Sequence, residues 1–191
     1  MQRHVRLIFK TPDSYKEFSK LATQNGLELV DEARKGKTSP LAFQETLANI
    51  DETVQVQYIE DGLAGLSYLQ ITGPKGELYT KLFKERYSFL SEDELFSNWD
   101  SAGSVDDKID AIVRLGVASY DQPPEPYIHR IRQALGDTEA AVRDAGLVAF
   151  SCSPWAPLKP LVQTLRDADP DAGVQQRARL LLESWENIQL T

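Results

Sequence analysis

The sequence predicts an α+β domain with a small, mainly antiparallel sheet over residues 1–97, followed by an all-α domain of paired helices over residues 98–191. Three observations carry that division. β-Branched and aromatic residues fall in alternating runs through the first half; beyond it, short Ala-, Leu- and Val-rich stretches at helical spacing are punctuated by Pro and Asp. Between the two, residues 98–104 are small and polar apart from Trp99, the composition of a joint.

The elements follow in order. Val5, Leu7 and Phe9 alternate with Arg6, Ile8 and Lys10, an opening strand with one strongly apolar face. Thr11, Pro12, Asp13 and Ser14 offer helix-start chemistry, Tyr15, Phe18, Leu21 and Ala22 recur at helical spacing, and Asn25-Gly26 ends the helix. A short strand is expected over residues 27–30, with the charged residues 31–37 as an exposed loop or strand end. Ser39-Pro40 is read as the start of a helix running through Leu47. Val54, Val56 and Tyr58 alternate with glutamines, and after the turn Glu60-Asp61-Gly62 a second alternating run covers residues 66–71, which together make a hairpin. Gly73 to Gly76 close that strand, and Leu78, Leu82, Phe83 and Tyr87 favour a helix. The expectation is a four-stranded sheet with helices on one side.

The second half carries an internal repeat. Ile109, Ile112, Val113 and Gly116 correspond, 33 positions later, to Val142, Ala145, Gly146 and Ala149, and Ala178, Leu181 and Leu182 continue the spacing. A second kind of helix alternates with the first: Ile128, Ile131 and Leu135 recur 30 positions later as Leu158, Leu161 and Leu165. The difference of three falls in a Pro-rich turn, where stacked helix pairs tolerate insertion. Over residues 105–188 this pattern resembles short HEAT-like repeats, of the kind also found in phycobilisome lyase-type proteins. Two and a half units fall short of the roughly three an independent stack needs, so Leu95, Phe96 and Trp99 would dock on the first domain and cover the open end.

Composition bounds the function. With 41% hydrophobic residues the chain can bury a core, and no apolar window approaches the roughly 18 to 20 residues that span a bilayer. The first residues lack the apolar stretch of a secretory signal, so a soluble cytoplasmic protein is expected. One cysteine, Cys152, and two histidines, His4 and His129, give no disulfide and no imidazole or thiolate cage for zinc. The net charge of −8 divides into 12 Lys and Arg against 15 Asp and Glu in residues 1–97, and 9 against 14 in residues 98–191. Neither half is basic, which argues against nucleic acid as the partner.

Candidate chemistry is sparse. Asp167, Asp169 and Asp171 start like a calcium loop, but Ala172 and Ala178 stand where Gly and Glu are required, so the segment reads as a helix-capping turn. The glycine-bearing loops at residues 62–65 and 73–76 lack the spacing of a phosphate loop. Cys152 has no local basic partner and reads as a structural thiol. No catalytic residue, cofactor site or metal site is expected.

One pattern points to binding. With Ile128, Ile131 and Leu135 inward, His129, Arg130, Arg132 and Gln133 are left outward, and Lys159, Gln163 and Arg166 occupy the corresponding helix. The HEAT-like resemblance implies that these second helices line a concave surface, making the seven residues a polar, locally basic stripe. Trp155 in the adjoining Pro-rich loop, with Tyr120 and Tyr127, would supply aromatic anchors. The expected function is a non-catalytic interaction module whose groove holds a protein partner with an acidic segment. An alternative is an immunity or inhibitor protein, in which Glu92, Asp93, Glu94, Asp106, Asp107 and Asp110 mimic phosphates toward a basic toxin nuclease. A third, resting on the resemblance alone, is a bilin lyase-like or other enzyme acting through the groove.

Overall fold

Five strands, all paired antiparallel in the order β1-β5-β4-β3-β2, make the sheet of the first half: β1 (Val5–Ile8), β2 (Leu27–Arg34), β3 (Leu41–Asn49), β4 (Gln55–Asp61) and β5 (Leu66–Thr72). The computed structural model describes residues 5–11, 15–34, 41–62, 64–119, 124–152 and 155–189. Two compact units divide at Ser91, so that residues 92–100 belong with the helical half.

In the first unit the alternation of each strand sends one set of side chains to a common core. Leu7, Leu47, Val56, Tyr58, Leu69 and Ile71 meet Phe18 and Ala22 of helix α1 (Tyr15–Gln24) and Tyr79 and Phe83 of helix α2 (Gly76–Lys84). Aromatic rings dominate: Phe18 stacks on Tyr58 at 5.3 Å, and Phe9 packs edge-on against Tyr87 at 5.7 Å. Asn25 Nδ2 donates to the Leu21 carbonyl, and Gly26 takes φ +81°, the left-handed conformation that ends α1 at low steric cost.

Of the stretch read as a helix through Leu47, Ser39 and Pro40 lie outside the described residues, and residues 41–47 lie instead in β3. Its residues are mostly good helix formers, but Phe43, Glu45, Leu47 and Asn49 alternate with Gln44, Thr46 and Ala48, and strands on both sides supply the ladder. Tertiary pairing overrides local propensity there. β3 is thus the strand that makes the sheet five and not four, and β2 extends through residues 31–34, which pair with β3 across a bulge between Leu29 and Asp31.

Alternation also brings a carboxyl into the core. Glu45 is 2% exposed, one of its oxygens accepts a 2.7 Å hydrogen bond from the Tyr15 hydroxyl, and the other has no hydrogen-bond partner among the described residues. Burial raises the Glu45 pKa, and burial together with this carboxylate pushes the Tyr15 phenol up to about 12.

Six helices make the second unit: α3 (Glu92–Asp100), α4 (Val105–Ala118), α5 (Glu125–Leu135), α6 (Ala140–Cys152), α7 (Lys159–Ala168) and α8 (Ala172–Gln189). Reciprocal capping starts α4, with the Asp107 amide donating to Ser104 Oγ and the Ser104 amide to the Asp107 carboxylate. The helices pack as hairpins, α3 on α4, α5 on α6 and α7 on α8, with α4, α6 and α8 contacting in succession and α7 against α5. α3 thereby supplies the first member of a third pair. Leu95 is buried, and within this unit Phe96 meets the Tyr127 ring at 4.9 Å and Trp99 bonds to Gln133.

The small residues of the repeat set the helix spacing. A Cβ on Gly116 would lie 2.3 Å from Ala149 Cα, and one on Gly146 would lie 3.1 Å from the Leu135 amide nitrogen. The turns between hairpins repeat as well: Asp137 accepts from the Glu139 amide at 3.0 Å and Asp169 from the Asp171 amide at 2.8 Å. Each also takes a cation from the preceding α4 or α6 helix, Lys108 for Asp137 and Arg143 for Asp169. Arg143 donates at 2.7 and 2.8 Å to Asp169, and its remaining nitrogen donates to the carbonyls of Asp137 and Thr138, tying two successive turns together. The guanidinium holds the Asp169 carboxyl below its ordinary range against the opposing effect of burial.

Candidate functional site

The seven stripe residues divide between two helices and have different surroundings. On α5, Ile128, Ile131 and Leu135 are buried as the spacing predicts, and His129, Arg132 and Gln133 are exposed. Arg130 is half-buried, lying 4.2 Å over the Phe96 ring while it donates to both oxygens of Asp100 at 3.1 and 2.5 Å and to the Pro126 carbonyl. Gln133 accepts from the Trp99 indole N–H at 3.1 Å. Arg132 pairs with Glu125 at 3.4 Å.

On α7 the residues turn elsewhere. The Lys159 ammonium sits 5.0 Å over the Trp185 ring of α8, Arg166 pairs with its neighbour Asp167 at 2.7 Å, and Gln163 is half-buried. Each arginine of the stripe therefore has a carboxylate beside it, because α3 brings Asp100 to α5 and the helix ends bring Glu125 and Asp167. Trp155, expected as an exposed anchor, is buried at 7% exposure, with Leu158 beneath the same loop also buried. A bulky ring beside an interhelical turn excludes water more effectively than it projects from it. Its indole N–H has no hydrogen-bond partner among the described residues. Tyr127 is likewise buried, and Tyr120 lies outside the described residues.

The organised part of this surface is the pairing of α3 with α5. Phe96 contacts both Tyr127, edge-on, and Arg130, and Asp100 and Gln133 hold Arg130 and Trp99 in place. Sequence reading missed Phe96, Trp99 and Asp100 here by placing the first two at the joint. The available signal was their spacing, since Phe96 and Asp100 stand one helical turn apart on a single face.

Charge is unevenly shared once the division at Ser91 is known. Residues 1–91 contain 12 Lys and Arg and 12 Asp and Glu, whereas residues 92–191 contain 9 and 17, so the helical unit holds the whole −8.

The acid clusters have structural partners. Glu92, Asp93 and Glu94 occupy the first turn of α3, where the helix dipole favours them, Asp107 caps α4, and Asp110 pairs with Arg114 one turn on. Asp167, Asp169 and Asp171 go to Arg166, to Arg143 and to the amides that start α8. Among the described residues no group of three or more His, Cys, Asp and Glu side chains could hold a metal ion, and no helix is long and apolar enough to cross a membrane. No family model, curated protein or solved structure matches the chain.

Proposed function

We propose that this chain is a non-catalytic protein-interaction module in which the α3–α5 face of the helical unit receives a protein partner. The observation that carries the reading is the locked cluster of Phe96, Trp99, Asp100, Arg130 and Gln133. Trp and Arg dominate the energetics of protein interfaces, and side chains already held in place lose little freedom when a partner arrives. His129 and Arg132 flank the cluster and are exposed.

The charge of the unit selects among partners. With Arg130, Arg132 and Arg166 each beside a carboxylate, the field around residues 92–191 is that of the net −8, which steers a basic surface toward the face. That favours a cationic partner over the acidic segment a basic stripe would call for, and supports the inhibitor of a basic toxin or nuclease as the more specific version.

The test is site-directed photocrosslinking in expressing cells, with the reactive amino acid at His129 and, as a control, at the exposed Leu180 of α8. A partner captured from His129 and not from Leu180 is purified and titrated. Trp99→Ala and Arg130→Ala should each weaken binding about tenfold or more with helicity unchanged, and affinity should fall as salt rises. Equal capture at both positions, or affinities indifferent to the two substitutions, removes the reading.

A further inference from the structure

The first unit carries a second surface of a different kind, at the free edge of its sheet. β2 is an outer strand of eight residues, and its middle exposes Leu29 at 57% and Val30 at 62%. Long edge strands with exposed apolar side chains are templates for another strand, which natural proteins blunt unless the edge is used. Leu29 pairs with Leu47 of the core face, so alternation places Val30 on the sheet face opposite α1 and α2, and the bulge after Leu29 keeps Asp31 on that same face. There it forms the outer wall of a groove of about 380 Å³ that runs across four strands, bounded by Ala48, Gln55 and Thr72, with Val54 and Gly73 at its end.

The lining and flanks of this groove select its occupant. By register Glu28 and Asp31 stand opposite Ala48 and Thr46, on the groove's own face, and both are exposed; Glu52 lines the groove, and among the described residues no Lys or Arg lines it. A second copy of the chain would bring the same carboxylates against themselves, which disfavours edge-to-edge pairing of β2 with its own kind. An extended segment alternating apolar and cationic residues meets no such repulsion. Its main chain would pair with the β2 edge, and one Lys or Arg stem would lie along Val30 and Ala48 with its charge at Glu52.

We propose that the β2 edge and this groove bind an extended basic peptide by strand addition, independently of the α3–α5 face. Main-chain pairing supplies affinity in such complexes and side-chain pockets supply selectivity.

The test uses the whole chain and a fluorescently labelled synthetic peptide that alternates valine with arginine, followed by anisotropy and by amide exchange across residues 27–34. Binding should protect β2 amides. Full N-methylation of the peptide, replacement of its arginines by glutamate, and Glu52→Gln or Val30→Arg in the protein should each weaken binding about tenfold or more. Circular dichroism checks that both variants are folded. The proposal is overturned if the labelled peptide does not bind, if the N-methylated peptide binds equally well, or if protection falls outside β2. It is overturned too if the chain dimerises through this edge and Val30→Arg makes it monomeric.

Discussion

Arg143→Ala tests whether the two interhelical turns are held by one guanidinium. Arg143 and Asp169 are 8% and 5% exposed, and the arginine makes two hydrogen bonds to the carboxylate and two to the carbonyls of Asp137 and Thr138. Removing one partner of a buried pair leaves the other charge without compensation, at a cost of about 3–5 kcal/mol. Trp99, Trp155 and Trp185 are all the tryptophans of the chain and all lie in the helical unit, so tryptophan fluorescence in urea reports on this unit alone. With a slope of about 1.5 kcal/mol per molar, the midpoint should fall by about 2 to 3 M. The double substitution Arg143→Met with Asp169→Leu removes both charges and should recover most of the loss, leaving about 1–3 kcal/mol for the two carbonyls deprived of their donor. The wild-type pair should also weaken on acidification: a carboxyl lowered in the folded state contributes stability above its unfolded value, near 3.8, that is lost as pH falls through the folded one. A loss below about 1 kcal/mol for Arg143→Ala, or a double variant no more stable than the single one, would refute the reasoning.

Three further outcomes are expected. Gly116→Ala forces α4 away from the backbone of Ala149 and should cost about 1–3 kcal/mol by the same fluorescence assay, although alanine is the better helix former. Glu45→Gln should raise the stability of the first unit at neutral pH, measured by near-ultraviolet circular dichroism of its tyrosines. The Glu45 carboxyl is raised above its ordinary 4.5, so the native state holds the proton longer and wild-type stability falls as pH climbs from 4.5 through the folded value; the variant should lack that slope. Glu52→Gly relieves a non-glycine residue at φ 52° in the β3–β4 turn and should stabilise the unit by about 1 kcal/mol, seen as a higher melting temperature. No gain there would mean that the Glu52 side chain stabilises the turn in compensation.

Much of the helical half was legible because its packing is local. The 33-residue correspondence of Gly116 with Ala149 names positions that do meet across α4 and α6. The sheet was less legible. Residues 41–47 carry good helix formers, and only the presence of β2 and β4 on either side makes them a strand; the charged residues 31–34 gave no apolar period because one edge of β2 has no neighbouring strand in the sheet.

For the candidate surface, periodicity alone separated His129, Arg132 and Gln133 from the buried Ile128, Ile131 and Leu135. It could not assign partners to the cations, because an arginine's charge is fixed by sequence while its field depends on which carboxylate the fold sets beside it. Sequence thus determined the acidity of −8, the order of a sheet half followed by a helical half, and the buried face of α5. Only tertiary structure decided that α3 completes the set of hairpins, that Asp100 neutralises Arg130 and that the whole net charge belongs to one unit. Those depend on contacts between residues about 30 positions or more apart, where no local pattern of apolar and polar side chains can record them.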